Sequence, residues 1–205
     1  MVIFQKRHGP GHLSVGLVYG NIGAIMQMQG KLMAARISLD HALHVCEATL
    51  GKEHPTVAVL IKNLAEVLRQ SGDLTGARTA CERALAIDTA LLGPDHPNTA
   101  LAHANLGRVL QGMGDLPGAE EHTRLALAVE EAAFGQVHPR IAGRLNGLGL
   151  ILREQGRLDE AAQVLERARS VAGQVYSGPA LDAANIHTNL GVVLQDLGRA
   201  DEARA

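Results

Sequence analysis

Aromatic side chains are almost missing from this sequence: two Phe, two Tyr and no Trp among 205 residues. That removes the stacking platforms on which single-stranded nucleic-acid binders rely and most of the anchors that dominate tight protein interfaces. An excess of charge of one sign is missing too. Nineteen Lys and Arg stand against 21 Asp and Glu, a net charge of −2, so no long-range field draws the chain to a polyanion, and nucleic acid is not an expected partner. The only two cysteines, Cys46 and Cys81, have neither metal-ligand spacing nor a disulfide framework around them. Both are expected to be free thiols in a reducing compartment, packed as small core residues. No segment approaches the roughly 18 apolar residues of a membrane span, and the Val2-Ile3-Phe4 patch before Lys6, Arg7 and His8 is too short for a signal peptide. The expected location is therefore cytoplasmic, without a membrane partner.

What is present is a repeat. The chain is 46% apolar, enough to bury a core, and its glycines follow a rule. Gly30, Gly72, Gly114, Gly156 and Gly198 are spaced 42 residues apart. Ala35, Ala77, Ala119, Ala161 and Ala203 keep the same step, as do Ala42, Ala84, Ala126 and Ala168. A Gly-x-x-His-Pro phrase recurs at Gly51–Pro55, Gly93–Pro97 and Gly135–Pro139, with a degraded copy at Gly9–Leu13. In the fifth copy Ser177, Ala180 and Leu181 hold those places.

Each repeat reads as two helices. The first starts near the Pro, whose fixed φ suits the first helical position, and carries Leu64 and Leu68 on one face. Gly72 ends it, because a helix terminus often needs a left-handed residue, and Asp73 or Asp115 then caps the second helix. The second helix carries the two Ala columns, with Leu85 and Leu127 on the buried side. A helix pair of this kind cannot bury its apolar face alone, so pairs must stack. The expected fold is all-α: an α-solenoid of about five helix-turn-helix repeats, forming a single array over residues 1–205, with boundaries near 13, 55, 97, 139 and 181.

Leu106, Gly107, Gly114, Ala119 and Ala126 resemble the tetratricopeptide repeat signature, with Leu110 and Thr123 standing at its aromatic places. The resemblance implies a right-handed solenoid. The 42-residue period is about eight longer than the usual 34, and with the phrase from Leu92 to Ala100 it resembles the repeats of kinesin light chain and related bacterial proteins. The register also places Ile3 opposite Val45 and His8 opposite Leu50, so the first residues read as the tail of a second helix, and Ala205 falls in the opening turns of another. Two partial end units predict a window from a longer array, with self-association through uncapped ends.

Little points to chemistry. His12, His54, His96 and His138 recur at the repeat period and cannot converge on one ion; they read as polar residues ahead of helix starts. His41 and His44 lie three apart, without a third ligand. No nucleophile elbow, phosphate-cradling Gly loop or zincin motif occurs, so neither an enzyme, a metal nor a cofactor is expected.

The most informative column is Asn21, Asn63, Asn105 and Asn189, each just before a core Ile or Leu, with Gly147 replacing Asn in the fourth copy and Asn146 one residue earlier. Mid-helix Asn costs propensity, so its return needs a reason. One reason is a hydrogen bond between repeats. The other is a concave groove in which the amides hold a peptide backbone, as the resemblance implies. Lys62, Glu66 and Arg69, then Arg108 and Gln111, then Arg153 share that helix face. Its four cations predict an extended peptide with acidic residues, bound through Lys62, Arg69, Arg108 and Arg153. The resemblance to kinesin light chain points to acidic segments as well. The expected function is thus a non-enzymatic protein interaction scaffold. The alternative is an assembly module of a larger protein that acts by end-to-end stacking.

Overall fold

A computed structural model describes residue 9, residues 11–178 and residues 180–199. The helix tails expected at residues 1–8 and at Ala203 and Ala205 lie outside the described residues. The chain divides into two compact units, Met1–Pro94 and Asp95–Ala205. The first holds α1 (Leu13–Met28), α2 (Leu32–Leu50), α3 (Pro55–Gln70) and α4 (Leu74–Leu92). The second holds α5 (Pro97–Met113), α6 (Leu116–Phe134), α7 (Pro139–Glu154), α8 (Leu158–Val175) and α9 (Leu181–Asp196). No strand occurs among the described residues. Within each unit consecutive helices pack on one another, and first helices of successive pairs also touch, α1 on α3 and α7 on α9.

The turn inside a pair is nearly the same each time. Gly30, Gly72, Gly114, Gly156 and Gly198 all have φ between 72° and 85°, the left-handed region that a Cβ penalises. Across the glycine, Asp73 N–H donates to Leu68 O and Asp115 N–H to Leu110 O, the six-to-one bond of a Schellman motif. The same two aspartates cap the next helix, accepting from Gly76 N–H at 2.9 Å and Gly118 N–H at 3.1 Å. One residue thus closes one helix and opens another.

The turn between pairs uses other means. Gly51, Gly93 and Gly135 combine φ of 78° to 90° with extended ψ of 158° to 177°, a region essentially confined to glycine. Three residues on, His12, His54, His96 and His138 each accept, at Nδ1, the backbone N–H two residues ahead, at 3.0 to 3.2 Å. The recurrent histidines are N-caps. An Nδ1 that accepts fixes the neutral tautomer with its proton on Nε2. Where the phrase has drifted, Tyr176 is extended at φ −108° and Ala180 makes no side-chain cap.

Close approach of the paired helices explains the small-residue columns. Ala35, Ala77, Ala119, Ala161 and Ala42, Ala84, Ala126, Ala168 are fully buried. A column of which the sequence reading singled out only Gly107 faces them: Gly23, Gly107 and Gly149. A Cβ on Gly107 would stand 3.1 Å from Ala119 O, and one on Gly149 would stand 2.5 Å from Leu165 Cγ. Leu68, Leu110, Thr123 and Leu127 are buried, whereas Leu64 and Leu85 are half-buried.

Polar bonds join neighbouring pairs in each unit. In the first, Arg83 pairs with Glu47 at 2.7 Å; the same places 84 residues on hold an Arg167–Glu131 pair. In the second, Arg157 and Gln155 both reach Glu120, at 2.6 and 3.0 Å. Burial pushes the Glu120 carboxyl up, but hydrogen bonds from Gln155 and Arg124 outweigh it and hold the group below its ordinary range.

Two outcomes follow. Ala119→Leu should overpack the α5–α6 contact and cost about 1 to 3 kcal/mol in denaturant unfolding. His54→Ala should cost about 0.5 to 2 kcal/mol through its lost cap, whereas His54→Asn should be nearly neutral, since Asn accepts the same N–H.

Candidate functional site

First helices carry the predicted groove residues. On α1, Asn21 is exposed; on α3, α5 and α9, Asn63, Asn105 and Asn189 are half-buried. In the second unit the Asn189 side-chain amide donates to Asn146 Oδ1 at 2.9 Å. That bond spans 43 residues and joins α9 to α7. Gln111 to Glu154 at 2.7 Å and Arg153 to Asp196 at 2.6 Å repeat the same offset. A hydrogen bond between repeats, one of the two reasons weighed for the Asn column, is therefore present at Asn189.

The predicted cations lie in different environments. Lys62 is a correction. It is buried, and its Nζ meets Asp88 at 2.7 Å inside the α3–α4 pair, so it is not displayed on the helix face where its register put it. A long aliphatic stem lets the ammonium turn inward toward an acid, and a ligand could recruit it only by leaving Asp88 buried and unpaired. Arg69 forks onto Glu66 at 2.8 and 3.0 Å, and that hydrogen bond raises its pKa further. Arg153 is tied to Asp196.

Arg108 differs, because the structure brings it to a cavity. The second unit encloses about 520 Å³ between α5, α7 and α9, and its lining includes Arg108, Gln111, Asn146 and Gly147. It also includes Arg140 and Arg144, which helix-face reading missed. A signal was available: at the places of Arg144 the other repeats carry Val18, Leu60, Ala102 and Ile186. Behind the lining, fully buried Glu130 accepts from Arg144 Nε at 2.9 Å, and Arg140 Nη1 is 4.0 Å away. The first unit has a cleft of about 590 Å³ beside Glu47, Arg83 and Leu91 on its second helices and Lys52 in the turn after α2. None of the predicted residues lines it.

One titratable pair stands next to the cavity helix. His103 on α5 and His122 on α6 bring their Nδ1 atoms to 2.8 Å. With ring centroids 5.0 Å apart, the rings meet edge to edge through those nitrogens rather than face to face, so one proton serves both. Burial lowers the His103 pKa from 6.5, His122 lowers it further, and Glu121 opposes both. The folded state thus takes up a proton less readily than the unfolded one. Stability from this group is complete above the unfolded value and is lost progressively as pH falls from there through the lowered folded value. Between about pH 7.5 and 5.5 the thermal midpoint of His103→Leu, which restores the residue type of Ile61 and Leu145, should fall less than that of the unaltered chain.

The tetratricopeptide repeat family profile matches residues 14–77, 56–132 and 140–205. A Podosopora anserina protein of kinesin light chain type with nearly identical TPR-like repeats has a similar crystal structure. Its TM-score is 0.80 at 21% identity, over 94% of this chain and 92% of that one. BtubC (BKLC) from P. vanneervenii is similar at a TM-score of 0.81 and 21% identity, over 99% of this chain and 80% of that one. At such identities the likeness is one of fold. No curated protein matches.

Proposed function

The chain belongs to the tetratricopeptide repeat family, and on that premise we propose that it holds an extended, acid-bearing segment of a partner protein along the first helices of its second unit. Repeats of this family support a protein interaction scaffold in general. The finer reading is carried by the cavity of about 520 Å³ in which Arg108 and Asn146 come together with Arg140 and Arg144. Amides there can donate to and accept from a peptide backbone at once, while guanidinium forks suit carboxylates. The partner is a protein, not nucleic acid or membrane, and no cofactor enters.

A non-enzymatic role is part of the proposal. Four of the ten histidines are occupied as helix caps, and a repeat scaffold of this family is generally not catalytic. A cytoplasmic location is part of it as well. Cys46 and Cys81 are buried and form no disulfide, and no helix among the described residues is long and apolar enough to cross a membrane. The single array over residues 1–205 also stands as a proposal, supported by the period.

One observation favours an assembly role instead. Met28, Met33 and Ile37 are 88%, 72% and 63% exposed, at places where the next repeat has Gln70, Thr75 and Thr79. A peptide-display selection separates the readings. An acidic motif should be enriched on the chain, and Arg108→Ala with Arg140→Ala should weaken its binding by about tenfold or more and flatten its salt dependence. Enrichment that survives those changes but is lost in Met33→Ser with Ile37→Thr would favour assembly.

A further inference from the structure

Two histidines outside the groove depart from their repeat columns together. His103 stands where the other repeats carry Tyr19, Ile61, Leu145 and His187, and His122 stands where they carry Ser38, Ala80 and Val164. In α7 and α8 these places hold Leu145 and Val164, so the scaffold itself asks for no polar contact there. Neither imidazole caps a helix, as His12, His54, His96 and His138 do, and neither lines the cavity of the second unit. The capping histidines, one per repeat, cannot converge on an ion. These two belong to other columns and do converge.

Their spacing is close to that of two ligands on one ion. Imidazole nitrogens bound at about 2.0 to 2.1 Å to a tetrahedral zinc ion stand about 3.3 Å apart, with ring centres about 5.2 Å apart. The Nδ1 atoms of His103 and His122 are 2.8 Å apart and their ring centres 5.0 Å apart. The rings are thus nearly at the separation an ion requires, and a small tilt of each turns its lone pair from the other nitrogen to a common point.

The surroundings hold them there. Gly107, one turn beyond His103, lets α5 approach α6 so closely that a Cβ would stand 2.8 Å from Thr123 Oγ1 and 3.1 Å from Ala119 O. The two backbones are therefore fixed beside the pair. Both histidines are half-buried, which restrains the rings and leaves a side open to water. Burial and His122 lower the His103 pKa, so at neutral pH that ring is in the uncharged form a metal binds. The charge of Glu121 also acts on His103, an anionic neighbour for a divalent cation.

We propose that His103 and His122 form a site for a divalent transition-metal ion of the zinc class, which clamps α5 to α6 through two imidazole ligands with water in the remaining positions. Imidazole suits such ions, whereas calcium and magnesium prefer oxygen ligands. The ring that donates the shared proton loses it from Nδ1 and takes one up at Nε2, so two neutral rings bind the ion with no net proton change. Unfolding separates the ligands, so the bound ion stabilises the helix pair. The site is independent of the groove reading, and loss of peptide binding would not bear on it.

The test uses the full chain stripped with a chelator, titrated calorimetrically with Zn²⁺ alone at neutral pH. His103→Leu and His122→Ala restore the residue types of Leu145 and Ala80, and circular dichroism checks that both variants fold. Loss of an outer-shell partner alone costs about 10- to 100-fold in metal affinity, so loss of either imidazole should weaken Zn²⁺ at least as much. His41→Ala with His44→Ala, which removes the other closely spaced pair, should leave the affinity unchanged. Zn²⁺ should raise the thermal midpoint of the unaltered chain and of that control, and of neither single variant. In the unaltered chain it should shift the Nδ1 ¹⁵N resonances of His103 and His122 together. No binding, binding that survives His103→Leu or His122→Ala, or a thermal midpoint that Zn²⁺ does not move would overturn the proposal. Resonance shifts confined to other histidines would overturn it whatever the variants do.

Discussion

Close approach of two helix backbones is the constraint on which the rest depends. Ala119 is fully buried, and a Cβ on Gly107 would stand 3.1 Å from its carbonyl oxygen. With axes that near, small residues take the tightest crossing, and larger apolar residues fill the space beside it and between pairs. Leu145, Leu148, Leu165, Ile186 and Leu190 belong to one such cluster in the second unit. Two kinds of glycine turn then return the chain to the same relative place every 42 residues.

Those features were legible in the sequence because backbone geometry dictates them wherever they recur. A left-handed terminus admits glycine, a tight crossing admits alanine, and a first helical turn admits proline, so Gly72, Ala77 and Pro55 declare their roles by period alone. The histidines were half legible. Their position before a helix start was evident, but imidazole Nδ1 as the acceptor was not, since capping usually falls to Ser, Thr, Asp or Asn.

The candidate site was less legible, for the opposite reason. Lys62 shares a helix face with Glu66 and Arg69 in projection, yet a flexible stem and a buried Asp88 decide where its ammonium goes. Helical projection gives the direction of a Cβ and says little about the end of a long side chain. Arg140 and Arg144 were passed over because attention to what repeats hides what does not. In a periodic chain the columns describe the scaffold, and the exceptions to them mark where two repeats have been made different. The same holds for His103 and His122, an ionisable contact where another pair of helices has Leu145 and Val164.

The double duty of Asp73 and Asp115 reaches beyond geometry. Each satisfies the last carbonyls of one helix with its backbone and the first amides of the next with its carboxylate. Helix ends usually fray separately, each at its own small cost. Here the end of one and the start of the next are written into a single residue, so neither can open without exposing the other. In these two pairs the smallest piece able to exchange its amide protons as a unit is then the helix pair and not the helix.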